Sequence, residues 1–161
     1  VYGMELEFRR VVNARIHLSG NLGLLESKTQ EYSFEVAPDQ LISLGDRAFA
    51  HAPQYSYKLG IDYSLWTNVS LRGSISGKDN FYFSESHDQV SAAYNLFNAG
   101  ITYSFSRSLE LSFWADNILD TKYAIRGFYF GLEPPDYDEK LYMSYGDPRH
   151  FGLTMKYKFG L

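Results

Sequence analysis

The sequence predicts an all-β fold, an antiparallel up-and-down meander of about seven strands of the transmembrane β-barrel kind. Three observations lead there. Hydrophobic residues recur with a period of two along nearly the whole chain, and the connections between the alternating segments are by turns short and long. Aromatic residues make up 17% of the 161 positions, with 14 Tyr and 12 Phe. Such rings favour strands and also gather where apolar matter meets water, as at the two faces of a membrane.

The alternation defines each element in order. Met4, Leu6 and Phe8 alternate with Glu5, Glu7 and Arg9; Ile16, Leu18, Leu22 and Leu24 with Arg15, His17, Ser19 and Asn21. Tyr55, Tyr57, Leu59, Ile61 and Tyr63 stand against Ser56, Lys58, Gly60 and Asp62, and Val69, Leu71 and Ile75 against Ser70, Arg72, Ser74 and Ser76. Phe97, Ala99, Ile101, Tyr103 and Phe105 follow, then Leu109, Leu111, Phe113 and Ala115. The last segment is the clearest: Phe151, Leu153, Met155, Tyr157 and Phe159 against Gly152, Thr154, Lys156 and Lys158. Side chains on a strand point alternately to opposite faces, so each segment has one apolar and one polar face. A stripe of period 3.6 with caps is absent, so helix is minor.

Val12-Asn13, Leu65 to Asn68, and Ser106-Arg107-Ser108 read as tight hairpin turns. Between them lie longer polar stretches, about Glu35 to Ala52, Ser84 to Val90 and Gly131 to Tyr145. Outer-membrane barrels sort their connections in this way, whereas a Greek-key sandwich has no cause to. A tilted strand of ~9 to 11 residues crosses a bilayer. The stretch from Leu109 to about Phe130 is therefore expected to be a strand that runs on past the membrane. Periodicity alone does not say which face is inside. Aromatic placement favours the apolar face outward, with Tyr63, Trp66, Tyr103, Phe105, Tyr157 and Phe159 beside the short turns. Near the long loops stand Phe81, Tyr82, Phe83, Phe128, Tyr129 and Phe130, as a second interfacial girdle would require.

Several function classes are set aside. A net charge of −4 and a pI near 5.5 give no basic footprint for nucleic acid. There is no cysteine for a disulfide framework or a thiolate zinc site, and His17, His51, His87 and His150 lack paired metal-ligand spacing. A mean hydropathy of −0.30 and the lack of a long apolar run exclude a transmembrane helix but not a barrel. The opening residues lack the pattern of a secretory signal. Serines are plentiful, yet none has a positioned base, so no catalytic residue, metal site or cofactor is expected. Glu133, Asp136, Asp138 and Glu139 form an acidic loop without the calcium-loop spacing, read as a solvated surface. Within it, Glu133, Asp136, Tyr137, Asp138 and Tyr142 are candidates for touching a solute, because loops on a rigid scaffold carry binding function.

Four short segments then add a family likeness. The run Trp114-Ala115-Asp116-Asn117-Ile118-Leu119-Asp120-Thr121-Lys122-Tyr123 resembles the Asn-Leu-Phe-Asp-x-x-Tyr signature of the penultimate strand of TonB-dependent receptors, with Ile118-Leu119 in place of Leu-Phe. Tyr145-Gly146-Asp147-Pro148-Arg149-His150-Phe151-Gly152 resembles the Gly-x-Pro-Arg lead-in to that family's last strand, and Tyr157-Lys158-Phe159 its aromatic close. Ala52-Pro53-Gln54-Tyr55 resembles the Ala-Pro that opens an earlier strand.

The resemblance implies that residues 1–161 are the C-terminal portion of a larger receptor barrel, incomplete because the upstream strands and the plug domain are absent. It implies residence in the outer membrane of a Gram-negative bacterium, contact with lipid, and uptake of an iron chelate, cobalamin or glycan, with TonB engaged only through the absent plug. Tyr157 and Phe159 would form the signal read by the barrel-assembly machinery, although Gly160 and Leu161 follow them. Asn117, Asp120, Tyr123, Gly146, Pro148 and Arg149 are expected to be structural. A complete small barrel of about eight strands acting in adhesion or envelope structure is the first alternative, with an eighth strand in Glu31 to Leu44 or Ala124 to Phe130. A soluble ligand-binding β-barrel is the second.

Overall fold

The computed structural model describes residues 1–37 and 40–160. Pro38 and Asp39 of the expected long loop, and Leu161 at the chain end, lie outside the described residues. Thirteen strands are described: β1 Tyr2–Asn13, β2 Ile16–Glu26, β3 Tyr32–Ala37, β4 Gln40–Leu44, β5 Tyr55–Trp66, β6 Val69–Lys78, β7 Phe81–Tyr82, β8 Val90–Ser91, β9 Tyr94–Ser104, β10 Leu109–Asp116, β11 Ala124–Phe130, β12 Lys140–Tyr145 and β13 His150–Tyr157.

Seven of them form one antiparallel sheet in the order β1-β2-β5-β6-β9-β10-β13, and each corresponds to one of the seven alternating segments. The other six pair off as three separate hairpins, β3-β4, β7-β8 and β11-β12. Each hairpin is inserted between two neighbouring wall strands, at the end of the sheet opposite the tight turns. The tight turns are closed by side chains: Asn13 Oδ1 accepts from the N–H groups of Arg15 (2.8 Å) and Ile16 (3.0 Å), and Ser106 Oγ from those of Ser108 and Leu109 (both 3.2 Å). Short polar side chains that bond the backbone two or three residues on favour such turns.

The register carries the apolar face unbroken across the sheet. Leu6 pairs with Leu22, Leu22 with Tyr57, Leu59 with Ile75, and Ile75 with Phe97. Ile101 pairs with Phe113, and Phe113 with Leu153. A slip of one residue in any strand would turn its apolar set to the polar face, so the alternation itself fixes this register. Where two bulky side chains would collide, one partner is glycine: a Cβ on Gly20 would meet the Phe8 ring and Leu59. The opposite face is polar, with Arg72 Nε donating to Asp62 Oδ1 at 2.7 Å across β5 and β6, and the hydroxyls of Thr102 and Ser112 2.8 Å apart across β9 and β10.

The apolar face finds no cover within the described residues. Phe151, Leu153 and Met155 are 70 to 71% exposed, and the only buried large apolar side chains among the described residues are Val69, Phe81 and Phe83. The accessible surface is 11809 Å² for an 18.5 kDa chain. A soluble monomer of that mass would expose about 8,200 Å². Patches of this extent mark contact with another apolar phase, which counts against the soluble barrel.

Three sequence expectations change. The stretch Leu109 to Phe130 is two strands, not one: β10 stops at Asp116, because Asn117 (φ 47°) and Asp120 (φ 55°) turn the backbone into the left-handed region, which Asn and Asp tolerate best among residues with a Cβ. Strands do occur at Glu31 to Leu44 and Ala124 to Phe130, but in detached hairpins. β1 and β13 do not pair with each other, so no eight-stranded barrel closes. Phe128, Tyr129 and Phe130 stand on β11 and Phe81 and Tyr82 on β7, within the excursions rather than at wall-strand ends, and Phe81 and Phe83 are turned inward at 4% exposure.

Candidate functional site

Two built regions occupy the long-connection end of the sheet. The first joins the end of β10 to the start of β13. Asn117, 3% exposed, donates from Nδ2 to the carbonyls of Thr121 (2.9 Å) and Asp147 (3.1 Å), and its Oδ1 accepts from the Thr121 N–H (2.9 Å). Its own N–H donates to Asn98 Oδ1 on β9 (2.9 Å). Asp120 Oδ1 accepts from the Arg149 N–H at 2.8 Å, and the Arg149 guanidinium reaches the Ile118 carbonyl at 3.4 Å. The Gly146 N–H donates to the Tyr123 carbonyl at 2.9 Å, while the Tyr123 ring lies over Gly146 where a Cβ would project. Pro148 contributes its carbonyl, 3.0 Å from His150 Nδ1. The signature residues are thus brought together as a knot across the base of the third excursion.

That contact yields a prediction. Gly146→Val forces the Tyr123 ring off the knot and should cost about 1 to 3 kcal/mol, read as a lower urea midpoint of the detergent-folded barrel. An unchanged midpoint would show that the ring is free to move.

The second region is a cap in which the three excursions interlock. Phe81 and Phe83 stack edge to face at 5.9 Å; His51 lies 5.3 Å from Phe81, and the Phe83 ring covers Gly127 on β11. Ser91 Oγ donates to the Ala124 carbonyl at 2.9 Å. Arg47, from the first excursion, lays its guanidinium 3.8 Å over the Tyr82 ring, pairs with Asp88 at 3.0 Å and donates to the His87 carbonyl. The His87 ring stacks on Tyr129 with centroids 3.5 Å apart and planes 7° from parallel, and its Nε2 lies 3.1 Å from Glu139 Oε2. The Tyr129 hydroxyl donates to Gln89 Oε1. Burial, then the nearby charges of Glu139 and Asp88, push the Tyr129 hydroxyl above the usual phenol range and keep it a neutral donor.

The sequence-based solute candidates fall on the far part of this cap. Tyr142 stacks on Phe128 at 5.6 Å and donates to Glu133, a bond that raises its hydroxyl above the usual range; Tyr137 is exposed at a backbone φ of 56°. Asp136 and Asp138 are exposed. Among the described residues no three His, Asp or Glu side chains are arranged to hold a metal. Sequence reasoning missed Arg47, His87 and Gln89, and placed Tyr129 in a girdle. Tyr63, Trp66, Tyr103 and Phe105 lie at the tight-turn end, with Tyr157 and Phe159 in edge contact at 4.6 Å nearby.

A meander with one apolar and one polar face, tight turns at one end and a packed cap of hairpins at the other is a segment of transmembrane barrel wall. Residues 1–118 match the family model described as TonB dependent receptor-like, beta-barrel, and the chain belongs to that family. Its members are transporters of the Gram-negative outer membrane, not enzymes. Among solved structures, the chain is similar to the siderophore receptor PiuA from Acinetobacter baumannii (TM-score 0.79, 14% identity, covering 96% of this chain and 21% of that one). It is also similar to the ferric yersiniabactin uptake receptor FyuA from Yersinia pestis (0.73, 14%, 98% and 23%). A third is the ferric-catecholate import receptor Fiu from E. coli K12 in its open form (0.63, 15%, 96% and 20%). The chain thus spans about a fifth of the length of these structures, and at such identity the likeness is one of fold.

Proposed function

We propose that this chain is the C-terminal wall and outer-loop portion of a receptor that takes up a ferric chelate, with a plug domain and upstream strands supplied by the rest of the protein. The observation that carries this reading is the cap. Three excursions, all at one end of a membrane wall, converge on Arg47, His87, Tyr129 and Glu139, and loops held on a rigid scaffold are where binding function sits. The names of the similar structures, each concerned with siderophores or iron, favour a ferric chelate over cobalamin or glycan.

The other parts follow from the same placement. The apolar face meets lipid, the cap faces the exterior, and the polar face lines the lumen against the plug, which alone engages TonB. The unpaired edges of β1 and β13 pair with upstream strands, since an open edge in hydrocarbon leaves backbone groups unsatisfied. Tyr157 and Phe159 serve the barrel-assembly machinery, Phe159 being 87% exposed.

The test is uptake of radiolabelled iron by iron-limited cells that carry the full-length receptor as their only one. Accumulation from a ferric chelate that requires TonB, and that falls about tenfold when Glu133 to Asp138 is replaced by a short Gly-Ser linker with Glu139 kept, is the expected result, tenfold being ~1.4 kcal/mol of lost interaction. Uptake of cobalamin or glycan with none of iron would refute the substrate class.

A further inference from the structure

We propose that Glu139 is an internal stand-in for an acidic solute: it occupies the imidazole N–H of His87, and a carboxylate or phenolate oxygen of the incoming chelate displaces it and frees the tip of the β11–β12 hairpin. This rests on the uptake reading above and adds to it a named contact and an order of events.

The two sides of the contact are built differently. His87 belongs to the packed part of the cap, its side chain 25% exposed, its ring stacked on Tyr129 and its carbonyl held by Arg47. Both ring nitrogens are engaged. Nδ1 lies 2.7 Å from Ser84 Oγ and 3.0 Å from Ser86 Oγ, and Ser84 Oγ also accepts from the N–H groups of Ser86 (3.3 Å) and His87 (3.1 Å). Nε2 faces the Glu139 carboxylate, which accepts, so Nε2 is the donor of that bond.

Glu139 belongs to a looser segment. Its side chain is 59% exposed, Leu132 and Tyr137 beside it are 73% and 61% exposed, and the tip's other side-chain bond, Tyr142 to Glu133, stays within the same hairpin. Among the described residues, the contact with His87 is the one side-chain bond that leads from Gly131 to Glu139 into another excursion. A single exposed ion pair or charged hydrogen bond is a weak tie, so a solute that offers several acidic oxygens can take its place. The site it would enter has an N–H donor, a face-stacked aromatic pair and the Arg47 guanidinium close by. That set suits a planar, acidic oxygen ligand.

The experiment uses the purified full-length receptor in detergent, with the ferric tris-catecholate complex as probe and two readouts: protease cleavage within 131–139 and binding of the probe. Glu139→Gln should raise cleavage about threefold and His87→Ala about tenfold, since the second also removes the ring stack. Probe should speed cleavage of the parent and leave Glu139→Gln unchanged, and Glu139→Gln should bind it about threefold more tightly because no internal carboxylate competes. Glu139→Asp should restore the parent behaviour. If Glu139→Gln is cut at the parent rate, or binds no tighter, the stand-in role is overturned, even where the parent binds probe and cells take up iron. If cells take up no iron from any chelate, the uptake reading fails instead. A parent that takes up iron yet does not bind the probe overturns the proposed ligand chemistry.

Discussion

Replacing Asn117 by alanine should destabilise the folded receptor by about 3 to 5 kcal/mol, the largest effect expected of any single substitution in this chain. The side chain is 3% exposed and makes three hydrogen bonds, all to backbone, that join the end of β10 to the segment leading into β13. Its removal takes from the Thr121 N–H and two carbonyls the side-chain partner they have in this part-buried knot. The backbone adds to the cost, because φ is 47° and alanine is disfavoured there by roughly 1 kcal/mol. The two causes separate experimentally: Asn117→Gly relieves the backbone but not the bonds, so it should recover about 1 kcal/mol of the loss. Urea midpoints of the detergent-folded receptor check this. Equal midpoints for alanine and glycine would remove the backbone contribution, and a midpoint unchanged from the parent for either would remove the knot.

Leu153→Arg should cost about 2 to 4 kcal/mol, the penalty for a basic side chain at the bilayer midplane on the lipid face of a barrel. Leu153 is in the middle of β13, 70% exposed, opposite Phe113. Lys156→Gln, on the other face of the same strand, should change stability by under about 0.5 kcal/mol. The measurement is the folding equilibrium into lipid vesicles. Equal costs at the two positions would mean that the apolar face does not meet lipid.

The wall was legible in the sequence for a physical reason. A strand between lipid and lumen must alternate at every position, so each of the seven segments carries its own record, and Tyr55 to Tyr63 or Phe151 to Phe159 can be read without knowledge of any neighbour. The turns were legible through Asn13 and Ser106, which act on the backbone two or three residues away. The excursions were not. β3 and β4 lie in the stretch that the sequence offered as an eighth strand, although not as a separate hairpin, while β7 and β8 are two residues each, too short for a period to show. The break after Asp116 depends on the left-handed backbone of Asn117 and Asp120, which a period count passes over, although an Asn followed three residues later by an Asp is a usable sign. The cap is still further from view, because Arg47, His87 and Glu139 meet from positions 40 and 52 residues apart. No local pattern marks them, and they meet only where the three excursions pack together.

The central claim is that one face of this sheet meets lipid and the other an aqueous lumen, and quenching along β13 tests it most directly. Single cysteines placed in turn from Phe151 to Tyr157 in the full-length receptor, labelled with an environment-sensitive fluorophore and folded into vesicles, should report a two-residue alternation. Phe151, Leu153, Met155 and Tyr157 should be quenched by spin-labelled lipid, while Gly152, Thr154 and Lys156 should be insensitive to it. Quenching that is uniform along the strand, or that falls on the even positions, would contradict the account.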